Sequence, residues 1–519
     1  MGCKFLRERA GKHRPALAMA AYLLGVAIHS LFPLMTVLPV VWWVVAAVLV
    51  AGFICFFLDS GSKPGMTECL LVVTCLILGL WRFDVAVPLR VRAVGNAEYE
   101  ATVQDVTDGM YGKQGMAVLE SGMNVQLTLK RDVVVGSRIR FSCILKPIEQ
   151  KADELDRRFA SRLHKMQAQC TPKDLTVVTH PPWWDLRQQF ADLRVQTNRR
   201  IMSVLPGEEG ALIAGMLYGE RGMSQKSNDL FRRAGLTHLI AVSGSNITIV
   251  ASIVFAILLG CGLWRRQVFW LTTAVLASYV MFTGFSASVA RAAVMGWLVL
   301  LARHIGRRPL TWHVLLVSAF FLCVLDPWML TFDAGFALSF LATIGLMVWS
   351  PVFDRRLGFL PVVGGLREAA ATTLSATFMT TPYLAFAFER ISLAGLITNL
   401  VAVPLVPWAM LFGAISAAWG NFFGWQMISL PALGTAKIIF LSARVADFVP
   451  WLSIPMQSMN FILLLATYGL VAWIWFWLRA KNSFSTKDMG VLSKHEGHES
   501  ECRNTATDCH VTRRTHSSQ

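Results

Sequence analysis

Runs of about 20 apolar residues, the length that crosses a hydrocarbon core, recur along this chain. They fall at residues 15–32, 34–58, 67–81, 236–262, 268–283, 287–302, 311–325, 334–350, 369–388, 393–418, 426–447 and 459–478. A backbone in lipid must satisfy its own hydrogen bonds, so runs of this kind fold as helices. Composition agrees: 55% of residues are hydrophobic and only 15% charged, with a mean hydropathy of +0.51. The expected fold class is mainly α, a polytopic helical membrane protein with about 11–12 spans.

The first run carries a basic flank, Lys4, Arg7, Arg9, Lys12 and Arg14 against Glu8, and lacks a small-residue cleavage site. It reads as an uncleaved anchor with its N-terminus in the cytoplasm. Arginine clusters then mark every second loop: Arg265/Arg266, Arg303/Arg307/Arg308 and Arg355/Arg356. That alternation follows the positive-inside rule and puts residues 98–180 outside a cytoplasmic membrane. Pro404 and Pro407 interrupt one run, which suggests a re-entrant or broken helix. Residues 481–519 are polar and read as a disordered tail.

Between the N-terminal spans (1–97) and the rest, residues 98–180 change texture. Short alternating runs, Glu100–Val106, Met116–Glu120, Val125–Lys130, Arg138–Leu145 and Asp174–Val178, are separated by Gly-marked turns. Five or six such strands point to a small β-barrel or sandwich, with an OB-like barrel preferred. Cys143 and Cys170 lie in this polar region and would pair if it faces an oxidising compartment. Residues 181–235 read as interfacial amphipathic helices, with Trp183 and Trp184 beside a basic stretch. One of these helices is expected to start at an N-cap of Ser227, Asn228 or Asp229 and stop before Gly235.

A net charge of +16 suits an anionic partner, lipid or nucleic acid, but topology-setting loops explain it equally. Polar groups inside apolar runs are more telling. His238, Ser243, Ser245, Asn246 and Thr248 fall within one run, and on a continuous helix His238, Ser245 and Asn246 share a side. Gly244 among them would permit a break. The stripe reads either as the lining of a passage or as interhelical hydrogen-bond glue. Arg291 near the start of another run needs a partner, which is Asp333, a carbonyl or a passing phosphate. Asn399 is a further polar group at membrane depth. The chain holds no phosphate-loop motif and no His-x-His-x-Asp cluster, so neither an enzyme nor a cofactor is expected. His495, His498, Cys502, Cys509 and His510 in the tail do not form a convincing metal set.

Four ordered segments carry a resemblance. Gly219-Glu220-Arg221 with Phe231–Gly244, then Ser288–Ala292 with Met295, then Asp333–Phe340, then Thr381-Pro382 with Ser392, Asn399-Leu400 and Pro404, together resemble the ComEC competence family. The similarity covers most of residues 1–420, including an external OB-like domain ahead of a channel domain (236–480). It implies a channel that passes single-stranded DNA across the cytoplasmic membrane during natural transformation. Two departures stand out. The family's C-terminal metallo-β-lactamase-like domain is missing, which implies a conductor without a nuclease. Ser245-Asn246 also replace the usual Leu-His, which argues against proton transfer there.

On this reading the β-domain gathers phosphates with Lys130, Arg131, Arg138, Arg140 and Lys146. Aromatics for base stacking are sparse (Tyr99, Tyr111, Phe141, Phe159). The strand then passes the 237–248 stripe, meeting Arg221, Arg233 and Arg291. Without a phosphate loop, a cytoplasmic helicase-like ATPase or another gradient would supply the pull, and an extracytoplasmic receptor the DNA. A small-solute transporter and a non-conducting scaffold for DNA-processing partners are the rival readings.

Overall fold

The computed structural model describes residues 2–31, 64–85, 97–109, 112–129, 133–147, 166–220, 222–240, 242, 244–284, 287–307, 311–359, 366–392, 394–419, 427, 429–448, 453–455 and 462–478. The expected span 34–58 and the tail 481–519 lie outside them. The described chain forms two compact units, Met1–Thr380 with Ile391–Ile454, and Thr381–Arg390 with Pro455–Gln519.

Two helices open the first unit, α1 (Gly2–Leu31) and α2 (Pro64–Val85). They pack through reciprocal glycines: a Cβ on Gly25 would strike the Leu76 carbonyl, and one on Gly79 would strike that of Tyr22. Small residues of this kind let apolar helices approach backbone to backbone.

The polar region folds as a seven-stranded mixed sheet. Its strands are β1 (Ala97–Gly109), β2 (Gly112–Leu119), β3 (Asn124–Leu129), β4 (Arg138–Cys143), β5 (Lys146–Pro147), β6 (Ala168–Cys170) and β7 (Leu175–Thr179). Their order is β5-β6-β3-β2-β1-β4-β7. β1 to β3 form an antiparallel meander, β1 pairs β4, and β3 runs parallel to β6. Alternation in sequence becomes alternation in burial: β3 buries Val125, Leu127 and Leu129, and β4 buries Ile139, Phe141 and Cys143. A disulfide joins Cys143 to Cys170, with Cα atoms 6.3 Å apart. The sheet therefore contains two elements absent from the sequence reading, β5 and β6, which at two and three residues are too short to show a period.

Helices follow: α3 (Leu186–Val204), α4 (Glu208–Tyr218), α5 (Gln225–Arg233), α6 (Thr237–Ile240), α7 (Gly244–Gly260), α8 (Arg265–Phe282), α9 (Ala287–His304), α10 (Thr311–Leu325), α11 (Met329–Phe332), α12 (Ala334–Arg356), α13 (Leu366–Phe388), α14 (Ala394–Trp419) and α15 (Ser429–Phe448). A further helix, α16, covers Ile462–Leu478. Among the described residues, α12 and the Ala394–Ala418 part of α14 are long and apolar enough to cross a membrane. α14 runs unbroken through Pro404 and Pro407, which corrects the expected re-entrant or broken segment. Each proline deletes one donor, to the carbonyls of Leu400 and Val403, and the remaining ladder carries the helix.

α4 is the core helix of this unit. Ala211, Leu212, Ile213, Ala214, Met216 and Tyr218 are all buried, and α14, α15, α3 and α6 surround it. Eleven residues extend only about 16 Å; Pro206 and Gly207 ahead of α4 are exposed, while its last turn is packed against Ile240. Gly413 on α14 makes room for Ile213.

Candidate functional site

α5 begins at Ser224, whose hydroxyl accepts from the Ser227 amide at 3.3 Å, while the Ser224 amide donates to Glu208. The start thus lies at Ser224 and not at the expected Ser227–Asp229, because only Ser224 keeps the extended backbone an N-cap needs. α5 ends at Gly235, where a φ of 71° lets the Leu236 amide reach back to the Phe231 carbonyl at 2.9 Å.

The chain then makes the four-residue α6, leaves it at Ile240, and resumes as α7 from Gly244. The expected continuous span 236–262 is therefore two pieces, and His238 does not share a helix face with Asn246. This correction follows from crowding. A Cβ on Gly215 would strike the Ile240 carbonyl, one on Gly219 (φ 80°) would meet Val242 at 3.4 Å, and one on Gly244 would meet Ala292 at 3.3 Å. The interruption is packed against the end of α4 on one side and α9 on the other.

Contacts around this interruption bring distant segments together. Gly244 of α7 abuts Ala292 of α9. The neighbouring Arg291 donates to Asp333 at 3.4 Å, and a Cβ on Gly335 would lie 2.9 Å from Nη2 of Arg291. On the other flank, Thr398 Oγ1 of α14 donates to the Ala234 carbonyl at 2.7 Å, and Gly395 faces Gly235. One junction thus joins residues 234–244, 291–292, 333–335 and 395–398.

Two side chains take the structural alternatives open to them in the sequence, pairing with Asp333 and interhelical hydrogen bonding. Arg291 is 2% exposed and its charge is met by Asp333, so it faces a carboxylate inside the protein and not an open passage. Asp333 also caps α12, its Oδ1 accepting from the amides of Gly335 at 2.8 Å and Phe336 at 3.3 Å. Nε of Arg291 has no hydrogen-bond partner. Asn246, 1% exposed, donates from Nδ2 to the Met216 carbonyl at 3.0 Å. Tyr279 of α8 donates to the next carbonyl, Leu217, at 2.6 Å. The last carbonyls of a helix have no partner within it, and here α7 and α8 satisfy those of α4. Tyr279 went unnoticed in sequence because a tyrosine in an apolar run gives no spacing signal.

A family model described as Competence protein matches residues 216–481, just over half the chain. The chain belongs to the competence protein family. Among curated relatives, ComE operon protein 3 of Bacillus subtilis is 28% identical over 233 residues, 43% of this chain and 29% of that protein. Recombination protein 2 of Haemophilus influenzae is 26% identical over 279 residues, 48% of this chain and 34% of that one. Uncharacterized protein YcaI of Escherichia coli is 28% identical over 232 residues, 41% and 30%. The matched stretches cover about a third of the length of these relatives. No solved structure matches the chain.

The competence-family match starts inside α4 and ends after α16, so it contains the whole junction. Within it, His238 is exposed. Arg233 is exposed at the end of α5. Oδ1 of Asn399 is buried without a hydrogen-bond partner, close to Gly395. Arg221, Ser243 and the side chain of Ser245 lie outside the described residues.

Ahead of the match, Arg138 and Arg140 share the outer face of β4. Glu100 binds both, at 3.0 Å and 2.6 Å, and Arg138 also pairs with Glu120. The hydrogen bond from Arg140, helped by Arg138, holds the Glu100 carboxyl below the usual carboxylate range. Two of the expected phosphate contacts are thus already neutralised. Lys146 is exposed on β5, apart from them in the sheet order, and Lys130 and Arg131 lie outside the described residues.

Proposed function

We propose that this chain is the polytopic membrane component of a DNA-uptake system and conducts single-stranded DNA across the cytoplasmic membrane. The observation that carries the reading is the junction. Residues from within four segments that resemble one competence family, dispersed over about 190 residues of sequence, meet at an interrupted helix. Unwound backbone at membrane depth is tolerated only where it is buried in protein or lines a water-filled space. The exposed His238 and Asn399, whose Oδ1 is buried without a partner, flank that interruption.

The β-domain is proposed as an OB-type barrel outside the membrane. Its pairings support closure: the segment 138–147 pairs β1 at its first end and β6 at its second, β6 pairs β3, and the disulfide fastens β4 to β6. The names of two relatives, a ComE operon protein and a recombination protein, fit a role in taking up DNA. The pull would come from a helicase-like ATPase in the cytoplasm, and no catalytic step is assigned to this chain.

The test is deletion of the gene in a transformable host, followed by radiolabelled duplex DNA. Label should still bind the cell surface, while nuclease-resistant label and transformants disappear and return on complementation. Undiminished transformants in the deletion strain would overturn the proposal.

A further inference from the structure

We infer that the paired ends of α8 and α9 form a docking site for anionic phospholipid headgroups. The inference rests on the membrane reading above but not on DNA transport. Between Asp229 and Asp326 the chain contains no carboxylate. Within that stretch, Arg265 and Arg266 open α8, while Arg303 and Arg307 close α9 and its following turn. The rings of Phe269 and His304 stack with centroids 4.2 Å apart and planes 14° from parallel, which holds the start of α8 against the end of α9. All four arginines are exposed, and no ion pair engages them among the described residues.

Indoles surround these charges. Trp264, the N-cap of α8, is 81% exposed, Trp270 is 60% and Trp312 at the start of α10 is 55%. A nucleic acid would also welcome arginines beside aromatic rings. Continuity of the surface decides for lipid. From Trp270 the exposed face of α8 runs on through Leu271, Ala274 and Val275, at the spacing of a single helical stripe. On α10 the exposed residues further along are Phe321, Val324 and Leu325. Polynucleotide in water does not cover such stripes, whereas acyl chains do. Tryptophan and arginine then stand at the level of the headgroups, and each basic side chain near an anionic surface adds attraction.

Native mass spectrometry of the full-length chain, taken from detergent containing equal phosphatidylglycerol and phosphatidylcholine, tests this. The wild type should retain phosphatidylglycerol about tenfold over phosphatidylcholine, and the preference should fall with added salt. The variant carrying Arg265→Gln, Arg266→Gln, Arg303→Gln and Arg307→Gln should lose it while keeping the wild-type elution volume. A short single-stranded oligonucleotide should not displace the lipid. Equal retention of the two lipids by the wild type, or displacement by the oligonucleotide, overturns the inference. Should the fourfold variant not fold, the Arg265→Gln, Arg266→Gln pair alone should weaken the preference, and an unchanged preference in that pair overturns the inference. Lipid preference is read without DNA, so its failure leaves the uptake proposal standing, and the converse also holds.

Discussion

Arg291 and Asp333 depend on their contact to unequal degrees. Asp333 keeps two amide hydrogen bonds at the head of α12 when Arg291 is gone, and its side chain is 16% exposed. Arg291, at 3%, keeps nothing comparable when Asp333 is gone. Stranding a buried charge costs about 3 kcal/mol or more, and losing a cap about 1. Asp333→Ala should therefore lower stability more than Arg291→Met, by about 2 kcal/mol. Asp333→Asn, which keeps the capping oxygen, should fall between them. Denaturant unfolding in detergent reads the order; an Arg291→Met variant as damaged as Asp333→Ala would contradict the pairing. Asn246 poses a sharper question, because its role is that of a donor to the Met216 carbonyl. Asn246→His can donate the same bond from a ring N–H, whereas Asn246→Leu leaves that carbonyl with one partner fewer inside the protein. The leucine variant should lose about 1–3 kcal/mol and the histidine variant about 1 or less, measured by the same unfolding curves. Equal stability of the two would remove the capping role.

At the scale of elements, the outer face of β4 ties charge to acidity. The carboxyl of Glu100 is held low by Arg140 and Arg138, so folding gains from this contact above the ordinary carboxylate pKa. The gain disappears as pH falls through the depressed folded value. Glu100→Gln should flatten that part of the acid limb of a stability–pH profile. It should also release Arg140 while Arg138 keeps Glu120, so the variant should bind a labelled single-stranded oligonucleotide more tightly than the wild type at neutral pH, with the difference shrinking in high salt. Unchanged binding would mean that this face does not meet the strand. The same elements show what a sequence makes legible. Val125, Leu127 and Leu129 alternate because one face of β3 is buried, and the long apolar runs among the described residues are helical because nothing else fits them. The interruption at 240–244 was signalled only by Gly244. The contacts that enforce it come from Gly215, Gly219 and Ala292, which no local pattern connects. Pro404 and Pro407 misled in the other direction, since a helix held by its neighbours survives the loss of two donors. Arg291 announced itself as a cost needing a partner, but whether that partner was Asp333 or a passing phosphate is a fact of packing.

For the molecule as a whole, the proposal requires that the strand meet the β-domain on one side of the membrane and leave beside α8 and α9 on the other. Three arginine groups, at the start of α8, the end of α9 and the end of α12, would share the second side. Cys261 is a natural reporter there, since it is exposed and lies four positions before Arg265. Ser121, exposed in the turn between β2 and β3, serves for the first side as Ser121→Cys. In a chain whose other cysteines are serine, apart from the bridged Cys143 and Cys170, a membrane-impermeant maleimide should label the Ser121→Cys thiol in intact cells. Cys261 should react only in inverted vesicles or after permeabilisation. Oxidised Cys143 and Cys170 should stay unlabelled in both until a reductant is added. Reaction of Cys261 and the Ser121→Cys thiol from the same side would place the phosphate-gathering face and the arginine loops together. A strand could not then pass from one to the other, and the channel reading would fail even though the family assignment would stand.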